Sequence, residues 1–117
     1  MLYCANLGDS RAVLCRRGKA LNLSQDHKAS LESEIERVKA NGGYISGGRV
    51  LGRLAITRAF GDFEMKVYNK ENGELSFKDF ITVTPEIRQV ELDFEQDDFI
   101  LMASDGLFDK LSSQECV

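Results

Sequence analysis

An apolar run from Phe99 to Ala103 that ends directly in Ser104-Asp105-Gly106 limits the fold more than any other part of the sequence. Five consecutive apolar residues without alternation are typical of a short strand that is covered on both faces. An Asp-Gly pair after a strand most often forms an ordinary turn. Asp109 lies four positions beyond Asp105, however, and two carboxylates this close can share a hard cation, since Mg²⁺ and Mn²⁺ prefer oxygen ligands.

A second aspartate stands in a similar setting near the N-terminus. Asp9 follows Leu7-Gly8 and precedes Ser10-Arg11, again between apolar segments. On the C-terminal pair alone the ordinary turn is the better interpretation. The recurrence of the pattern makes a metal or phosphate site the hypothesis to pursue.

Composition excludes several classes of function. The chain has 117 residues, enough for one domain with a core but not for two, and a net charge of −4 with both signs interspersed. Without a basic stripe, nucleic acid is not expected as a partner. No apolar stretch approaches the length of a membrane span and no signal peptide is visible at Met1, so membrane insertion is not expected either.

Cysteine and histidine usage favours a cytoplasmic protein without zinc. Cys4, Cys15 and Cys116 are far apart and lack Cys-x-x-Cys spacing. They fit reduced, mostly buried thiols in the cytoplasm. His27 is the single histidine, which argues against a zinc site.

Strand signals dominate the first part of the chain. Apolar runs at 2–7 and 12–15 flank the turn-forming cluster 8–10, which predicts a hairpin. A third strand is expected over residues 20–23, after a turn at 17–19.

The clearest helix is predicted over residues 30–41. Apolar side chains recur along it at helical spacing on one face: Leu31, Ile35 and Val38. Ser30 can cap its N-terminus, while Ser33 with Glu36 forms a rival capping box, so the predicted start is open by one turn. Glu34 lies where its charge favours the positive end of the helix dipole.

The second half of the chain is predicted to contain short strands and turns. Segments 44–45 and 50–51 flank Gly47-Gly48 and predict a hairpin, and residues 87–92 alternate as a half-buried strand does. Residues 112–115 have a capping-box pattern that predicts the beginning of a helix.

Residues 63–80 are more polar, with Asn-Lys-Glu-Asn-Gly at 69–73 in their centre. We interpret this stretch as an excursion from the core, either a loop or an exposed hairpin. The chain opens almost directly in a strand, stops where a helix is expected to begin, and has no polar tail at either end. We therefore expect it to be a piece of a longer polypeptide.

Four segments in order carry a family resemblance. They are residues 5–12 (Ala-Asn-Leu-Gly-Asp-Ser-Arg-Ala), 25–28 (Gln-Asp-His-Lys), 54–62 (Leu-Ala-Ile-Thr-Arg-Ala-Phe-Gly-Asp) and 101–109 (Leu-Met-Ala-Ser-Asp-Gly-Leu-Phe-Asp). Each segment alone is a weak signal. Together, in this order and spacing, they resemble the metal-dependent protein serine/threonine phosphatases of the 2C type over nearly the whole chain.

The resemblance implies both a fold and an activity. The expected fold class is α+β, as part of a four-layer α-β-β-α sandwich with antiparallel sheets, and residues 1–117 would be the middle-to-C-terminal portion of that domain. The implied activity is hydrolysis of phosphoserine or phosphothreonine in phosphoprotein substrates. Mg²⁺ or Mn²⁺ ions would activate the attacking water and neutralise charge on the phosphoryl oxygens.

The resemblance also assigns site residues. It implies that Asp105 lies at the binuclear metal centre, and that Asp9 and Asp109 join it around a third, weaker metal found in some members. Arg11 would pair with a carboxylate and orient it. A solvated arginine at a strand edge is the alternative interpretation of Arg11. Gly106 belongs to the same motif and is placed beside the cleft.

Arg58 and Asp62 match the motif that leads into a flap beside the catalytic cleft, and residues 63–80 would be that flap. A buried, charge-paired role is the simpler alternative for Arg58. Asp26 and Asp62 are expected to be cap or turn residues, and His27 is expected to have a structural or surface role.

Several of the family's ligands have no counterpart in this sequence. The chain lacks an upstream phosphate-binding arginine, a Glu-Asp pair, an Asp-Gly-His-Gly-Gly motif and a final Asp-Asn motif. We therefore expect this chain alone to bind Mg²⁺ or Mn²⁺ weakly or not at all, to be inactive, and to self-associate or form a domain-swapped dimer. The alternatives are a non-catalytic phosphatase-like regulatory or binding module of a signalling protein and, ranked below it, an unrelated carboxylate-based Ca²⁺ or Mg²⁺ binder.

Overall fold

The computed structural model describes residues 1–69 and 73–117. In chain order the strands are β1 (Leu2–Asn6), β2 (Arg11–Arg16), β3 (Lys19–Asn22), β4 (Ile45–Ser46), β5 (Arg49–Val50), β6 (Val67–Asn69), β7 (Leu75–Phe77), β8 (Glu86–Val90) and β9 (Asp97–Ala103). The helices are α1 (Glu32–Ala40) and α2 (Asp105–Phe108). Each pairing among these strands is antiparallel, as predicted, whereas the four-layer arrangement stays a prediction.

The chain divides into two compact units. The first unit comprises Met1–Asp26 and Pro85–Val117, and the second comprises His27–Thr84. In the first unit, β2 is the central strand of the sheet β3-β2-β9, and β1 pairs with β8 in a separate two-stranded sheet. No helix in the described ranges is long and apolar enough to cross a membrane.

The predicted hairpin between residues 2–7 and 12–15 is wrong. Both strands form, but β1 pairs with β8, and β2 pairs with β3 and β9. The bend at Gly8 moves the chain from one sheet to the other, and the Asn6 side chain holds it by donating to the carbonyl oxygens of Gly8 and Gln25 at 3.3 and 2.8 Å. The turn residues therefore connect two sheets instead of closing one pair.

The core of the first unit lies between its two sheets. Ala12, Leu14 and Leu23 are buried there. Partly buried apolar side chains from the other sheet and the residues after it pack against them: Leu2, Cys4, Val90 and Leu92. β8 alternates half-buried and exposed positions, which confirms the prediction for residues 87–92.

The prediction that Phe99–Ala103 is covered on both faces is wrong for the residues that the structure describes. β9 is an edge strand, and the side chains of Phe99, Ile100 and Met102 are 46%, 43% and 77% exposed. The covered strand is β2, whose four middle residues are all buried between β3 and β9. Sequence apolarity alone does not reveal which of two apolar strands lies at an edge.

Helix α1 begins later than Ser30, and its N-cap is Leu31 with no side-chain cap hydrogen bond. Neither the Ser30 cap nor the rival box that starts at Ser33 is therefore formed. Val38 is fully buried in the core of the second unit, as the apolar face predicts. The other buried members of that core are Ala29, Val50, Met65, Phe80 and Ile81.

The β4–β5 hairpin confirms the prediction for residues 44–51. Ser112 and Glu115 also form the predicted capping box, because the Ser112 N–H donates to Glu115 Oε2 at 2.7 Å and the Glu115 N–H donates to Ser112 Oγ at 3.3 Å. The chain forms a turn there instead of the expected start of a helix.

Residues 59–81 form a long connection within the second unit whose two ends meet, and we call them the excursion. The expectation that residues 63–80 lie outside the core is wrong at Met65 and Phe80, which are buried in it. The Ala59 N–H donates to the Thr82 carbonyl at 3.1 Å, and the Thr82 N–H donates to the Thr57 carbonyl at 3.2 Å. Between these ends lie a 3₁₀ turn (Phe63–Met65) and the β6–β7 hairpin. The predicted flap at 63–80 falls within the excursion, and its residues 70–72 lie outside the described residues.

Candidate functional site

The pairing of β2 with β9 brings two of the three candidate metal ligands to the same end of this strand pair. Arg11, the first residue of β2, lies opposite Ala103, the last residue of β9. Asp9 precedes Arg11 by two residues, and Asp105 follows Ala103 by two. Because the strands are antiparallel, both aspartates lie just beyond the same end of this strand pair.

Asp105 and Asp109 are one helical turn apart. Asp105 is the half-buried first residue of α2, and Asp109 is the exposed residue that ends the helix. The Asp109 N–H donates to the Asp105 carbonyl at 2.8 Å. Asp9 is half-buried in the bend between β1 and β2. Within the described part of the chain, no group of three or more His, Cys, Asp or Glu side chains is arranged to hold a metal ion.

The Arg11 side chain links four segments of the first unit. Its Nε and Nη2 atoms donate to the two carboxylate oxygens of Asp26 at 2.9 and 2.8 Å, and Nη1 donates to Ser113 Oγ at 3.1 Å. Its guanidinium lies 4.5 Å from the centre of the Phe108 ring, within the range of a cation–π contact. The hydrogen bond to Asp26 raises the pKa of Arg11 against the opposing effect of burial, and the nearby charge of Asp109 adds to the rise.

Two consequences follow from this side chain. Arg11 pairs with a carboxylate, so the solvated alternative is wrong, whereas its predicted role in orienting a residue of the metal site stays a prediction. The partner is Asp26, a residue for which the sequence suggested only a cap or turn. Since Phe108 is a buried residue of α2, Arg11 also couples that helix to the start of β2, next to Asp9.

An open depression of about 310 Å³ lies at the same end of the strand pair, between the ends of β1, β2 and β9. Its polar side chains are Asn6, Ser10 and Arg11, and the remaining lining is largely apolar. Gly106 is exposed in α2, where an added Cβ would lie 3.4 Å from Ser104 Oγ.

The other two predicted site residues lie in the second unit. Arg58 is half-buried and forms an ion pair with the buried Glu34 (Nη2 to Oε1, 2.5 Å), which confirms the charge-paired interpretation. Asp62 is exposed, has a φ of 49°, and accepts the Met65 N–H at 2.9 Å through its carbonyl, so it is a turn residue as predicted.

Glu34 is the charged residue whose role the sequence analysis missed. Its side chain is 2% exposed and accepts hydrogen bonds from Arg58, the Thr57 hydroxyl (2.6 Å) and Arg37 Nη2 (3.2 Å). Burial alone would raise the pKa of Glu34. The hydrogen bonds from Arg58 and Thr57 and the charges of both arginines outweigh it and lower that pKa to about 2.

A sequence signal for this role exists. Glu34 follows Leu31 by three positions and precedes Val38 by four, so it lies on the apolar face of α1 instead of the solvated one. His27 is fully buried, and its carbonyl accepts both the N–H and the hydroxyl of Thr57 at 2.9 and 3.0 Å. Its structural role is therefore confirmed, and a surface role is wrong.

Comparison with known proteins finds relatives that match over the whole chain. The family model described as protein phosphatase 2C matches residues 1–117. The chain is 44% identical to protein phosphatase 2C homolog 2 of Saccharomyces cerevisiae, covering 100% of the chain and 25% of that protein. It is 49% identical to probable protein phosphatase 2C 58 of Oryza sativa, covering 99% of the chain and 30% of that protein.

Solved structures agree as well. A phosphatase from Toxoplasma gondii matches with a TM-score of 0.73 and 34% identity, over 95% of this chain and 33% of that one. A Caenorhabditis elegans sex-determining protein matches with a TM-score of 0.75 and 32% identity, over 94% of this chain and 25% of that one. The chain thus spans about a quarter to a third of the length of the relatives it matches.

Proposed function

This chain belongs to the protein phosphatase 2C family, and on that premise we propose that it is part of a protein that hydrolyses phosphoserine and phosphothreonine in phosphoproteins. The observation that carries the proposal is the antiparallel pairing of Arg11 with Ala103, which brings Asp9 and Asp105 to the same end of the β2–β9 pair. A cytoplasmic location belongs to the same proposal, and all three cysteines are free thiols.

The candidate ligands suit the metals that the family uses, Mg²⁺ and Mn²⁺, since all three are carboxylates. Asp105 would contribute to a binuclear site, and Asp9 and Asp109 would join it around a weaker third ion. As no complete ligand group is present in the described ranges, other segments of the whole domain would supply the remaining donors. When bound, such ions lower the pKa of a coordinated water and stabilise negative charge on a phosphoryl group.

The chain's own residues hold this part of the site in place. Arg11 and Asp26 fix α2 against the start of β2, so they would set the spacing of Asp105 and Asp109 from Asp9. Residues 63–80 would be the flap, and Arg58 and Asp62 would belong to the motif that leads into it. Gly106, which is exposed beside Asp105, would leave the surface there open for substrate.

The test uses the full-length protein and a phosphothreonine peptide with Mn²⁺. Asp105→Asn is expected to lower kcat/KM by more than the roughly 10- to 100-fold typical of residues that only support a metal ligand. Glu95→Gln, an exposed acid in the turn before β9, is the matched control and is expected to keep full activity. Undiminished turnover by Asp105→Asn, or turnover in EDTA, would contradict the proposal.

The 117-residue chain alone is expected not to hydrolyse p-nitrophenyl phosphate in Mn²⁺, because it lacks most of the family's ligands. A colorimetric assay would detect turnover, and robust hydrolysis would show that the ligand assignment is wrong. A full-length protein that lacks Mn²⁺-dependent turnover would instead support the non-catalytic module.

A further inference from the structure

We infer that Glu34 is a positioning residue that fixes both ends of the excursion to helix α1 and so holds the flap in the orientation that recognises a protein substrate. We call Glu34, Arg37, Thr57 and Arg58 the clasp. The inference rests on the proposed function for its catalytic consequence. Its structural part, the anchoring of the excursion, stands on contacts within the second unit alone.

The clasp grips the chain where the excursion departs. The Arg58 guanidinium donates to the Glu34 carboxylate through Nε at 3.1 Å and Nη2 at 2.5 Å. The Thr57 hydroxyl donates to the same carboxylate at 2.6 Å. Arg37 Nη2 donates to the Thr57 carbonyl at 2.7 Å, so both strongly basic side chains lie at the point of departure.

The same two arginines grip the chain where the excursion returns. Arg37 donates to the carbonyl oxygens of Asp79 and Phe80, the latter at 3.2 Å. Arg58 Nη1 donates to the Thr84 carbonyl at 3.0 Å. Each guanidinium therefore contacts Glu34 and the returning chain together, and Glu34 is the acid that orients both.

Both arginines of the clasp contact the Glu34 carboxylate. Arg37 Nε is buried without a hydrogen-bond partner among the described residues, so this arginine is held through its terminal nitrogens. Two guanidinium groups meet at one carboxylate whose side chain is almost fully buried. Removal of that negative charge leaves two like charges beside each other with no acid between them, which favours their separation and the release of the carbonyl groups they bind.

A role in fold stability alone would give a different outcome from a role in positioning. If Glu34 only stabilised the fold, its loss would weaken the whole second unit together. If it positions the excursion, its loss frees the two ends while the part of the core that lies outside residues 59–81, around Val38 and Val50, keeps its packing. Hydrogen exchange at single amides separates the two cases.

The experiment compares Glu34→Gln with wild type in the full-length protein. Amides of Ala59 and Thr82, which bond across the base of the excursion, are expected to exchange at least about tenfold faster. The Val38 amide and the β2 amides are expected to keep their rates. Asp97→Asn is the control, because Asp97 is a carboxylate paired with Arg16 at 2.5 Å in the first unit, whereas the clasp belongs to the second unit. It is expected to leave Ala59 and Thr82 unchanged.

Kinetics test the catalytic part. Glu34→Gln is expected to raise KM for a phosphothreonine peptide by about fivefold and to leave kcat for p-nitrophenyl phosphate within about twofold, since a small ester does not need the flap. An equal fall in kcat/KM for both substrates would overturn the inference. So would unchanged exchange at Ala59 and Thr82, or a uniform rise that includes Val38.

A second variant covers the case in which Glu34→Gln does not fold. Arg37→Met keeps the Glu34–Arg58–Thr57 contacts and removes the grip on Asp79 and Phe80. It is expected to raise exchange at Thr82 more than at Ala59, and the opposite order would overturn the inference. A wild-type protein that hydrolyses neither substrate would refute the proposed function and the recognition role, whereas exchange alone decides the anchoring.

Discussion

At the scale of single residues, the sequence located charged side chains well and their partners poorly. Arg11 was predicted to pair with a carboxylate, but its partner, Asp26, is 15 positions away through a hairpin and a loop whose path no local pattern predicts. Arg58 and Glu34 are 24 positions apart, and the same limit applies to them. Spacing reveals partners only within one helix or one strand pair, where geometry fixes the separation.

The Arg11–Asp26 pair should be a measurable source of stability. Asp26→Asn removes the charge while both side chains are largely buried, at 21% and 13% exposure, and is expected to lower the free energy of unfolding by about 1–3 kcal/mol. Urea denaturation of the 117-residue chain measures it. Glu64→Gln breaks the exposed pair with Arg53 and is expected to change stability by less than about 0.5 kcal/mol. Equal losses in the two variants would contradict the prediction.

Gly43 offers a second test at this scale. A Cβ at this position would lie 2.8 Å from both Phe80 Cδ1 and Val38 Cγ1, two buried side chains of the second core. Gly43→Ala is therefore expected to destabilise the chain by about 1–3 kcal/mol through overpacking. Thermal unfolding checks this, with Ser33→Ala on the exposed face of α1 as the control. An unchanged or higher midpoint for Gly43→Ala would show that the core has room.

At the scale of elements, local patterns predicted what is local. The α1 helix and the β4–β5 hairpin each form from one contiguous pattern, and both were found close to their predicted places. The partners of β1 and β9 were not predictable, since the paired residues of β1 and β8 are 80 to 88 positions apart in the chain and the turn residues at 8–10 fit a sheet change as well as a hairpin. The placement of Asp9 and Asp105 beyond the same end of the β2–β9 pair depends on that pairing and was equally out of reach of local patterns. The family resemblance supplied their grouping.

The bonds that join α1 to the excursion should weaken in acid. Glu34 has a pKa of about 2 in the folded chain against an ordinary value of 4.5, so the unfolded chain takes up its proton first as the pH falls. The stability from this carboxylate is complete above the unfolded value and is lost progressively between about pH 4.5 and 2. The full loss is about 3 kcal/mol.

Urea unfolding between about pH 5 and 2.5 measures this loss. The free energy of unfolding depends on pH through other groups as well, among them Asp97, whose pKa the hydrogen bond from Arg16 lowers. The informative quantity is therefore the difference in the free energy of unfolding between wild type and Glu34→Gln, and this difference should become smaller as the pH falls. A difference that stays constant across this range would refute the assignment.

At the scale of the whole molecule, the feature that the sequence misjudged and that has the largest consequence is the set of exposed apolar side chains of β9, which lie on both faces of the strand. A continuous apolar strand is suited to a covered position, yet β9 is at a sheet edge with three large side chains in solvent. Relatives of this chain are three to four times longer, so its matched region is followed or preceded in them by further structure. The exposed apolar side chains of β9 make this surface suited to burial.

The 117-residue chain in isolation should therefore self-associate. An open edge strand presents backbone donors and acceptors to a second copy, and the exposed side chains of Phe99, Ile100 and Met102 add apolar area to the contact. Association through paired β9 edges or through exchange of elements between two copies would both bury this surface. Sedimentation velocity over about 10–200 µM is expected to show a concentration-dependent shift from monomer to dimer or larger species.

Two lysine substitutions identify the surface responsible. Met102→Lys puts a charge on the open edge strand and is expected to shift the chain towards monomer, as charges do on natural edge strands. Phe94→Lys changes an equally large side chain that is 90% exposed but lies in the turn before β9, and it is expected to leave the association unchanged. If Phe94→Lys dissociates the species and Met102→Lys does not, the contact lies at the turn. If the wild-type chain is monomeric at the highest concentration, the exposed side chains and open edge of β9 do not drive association at all.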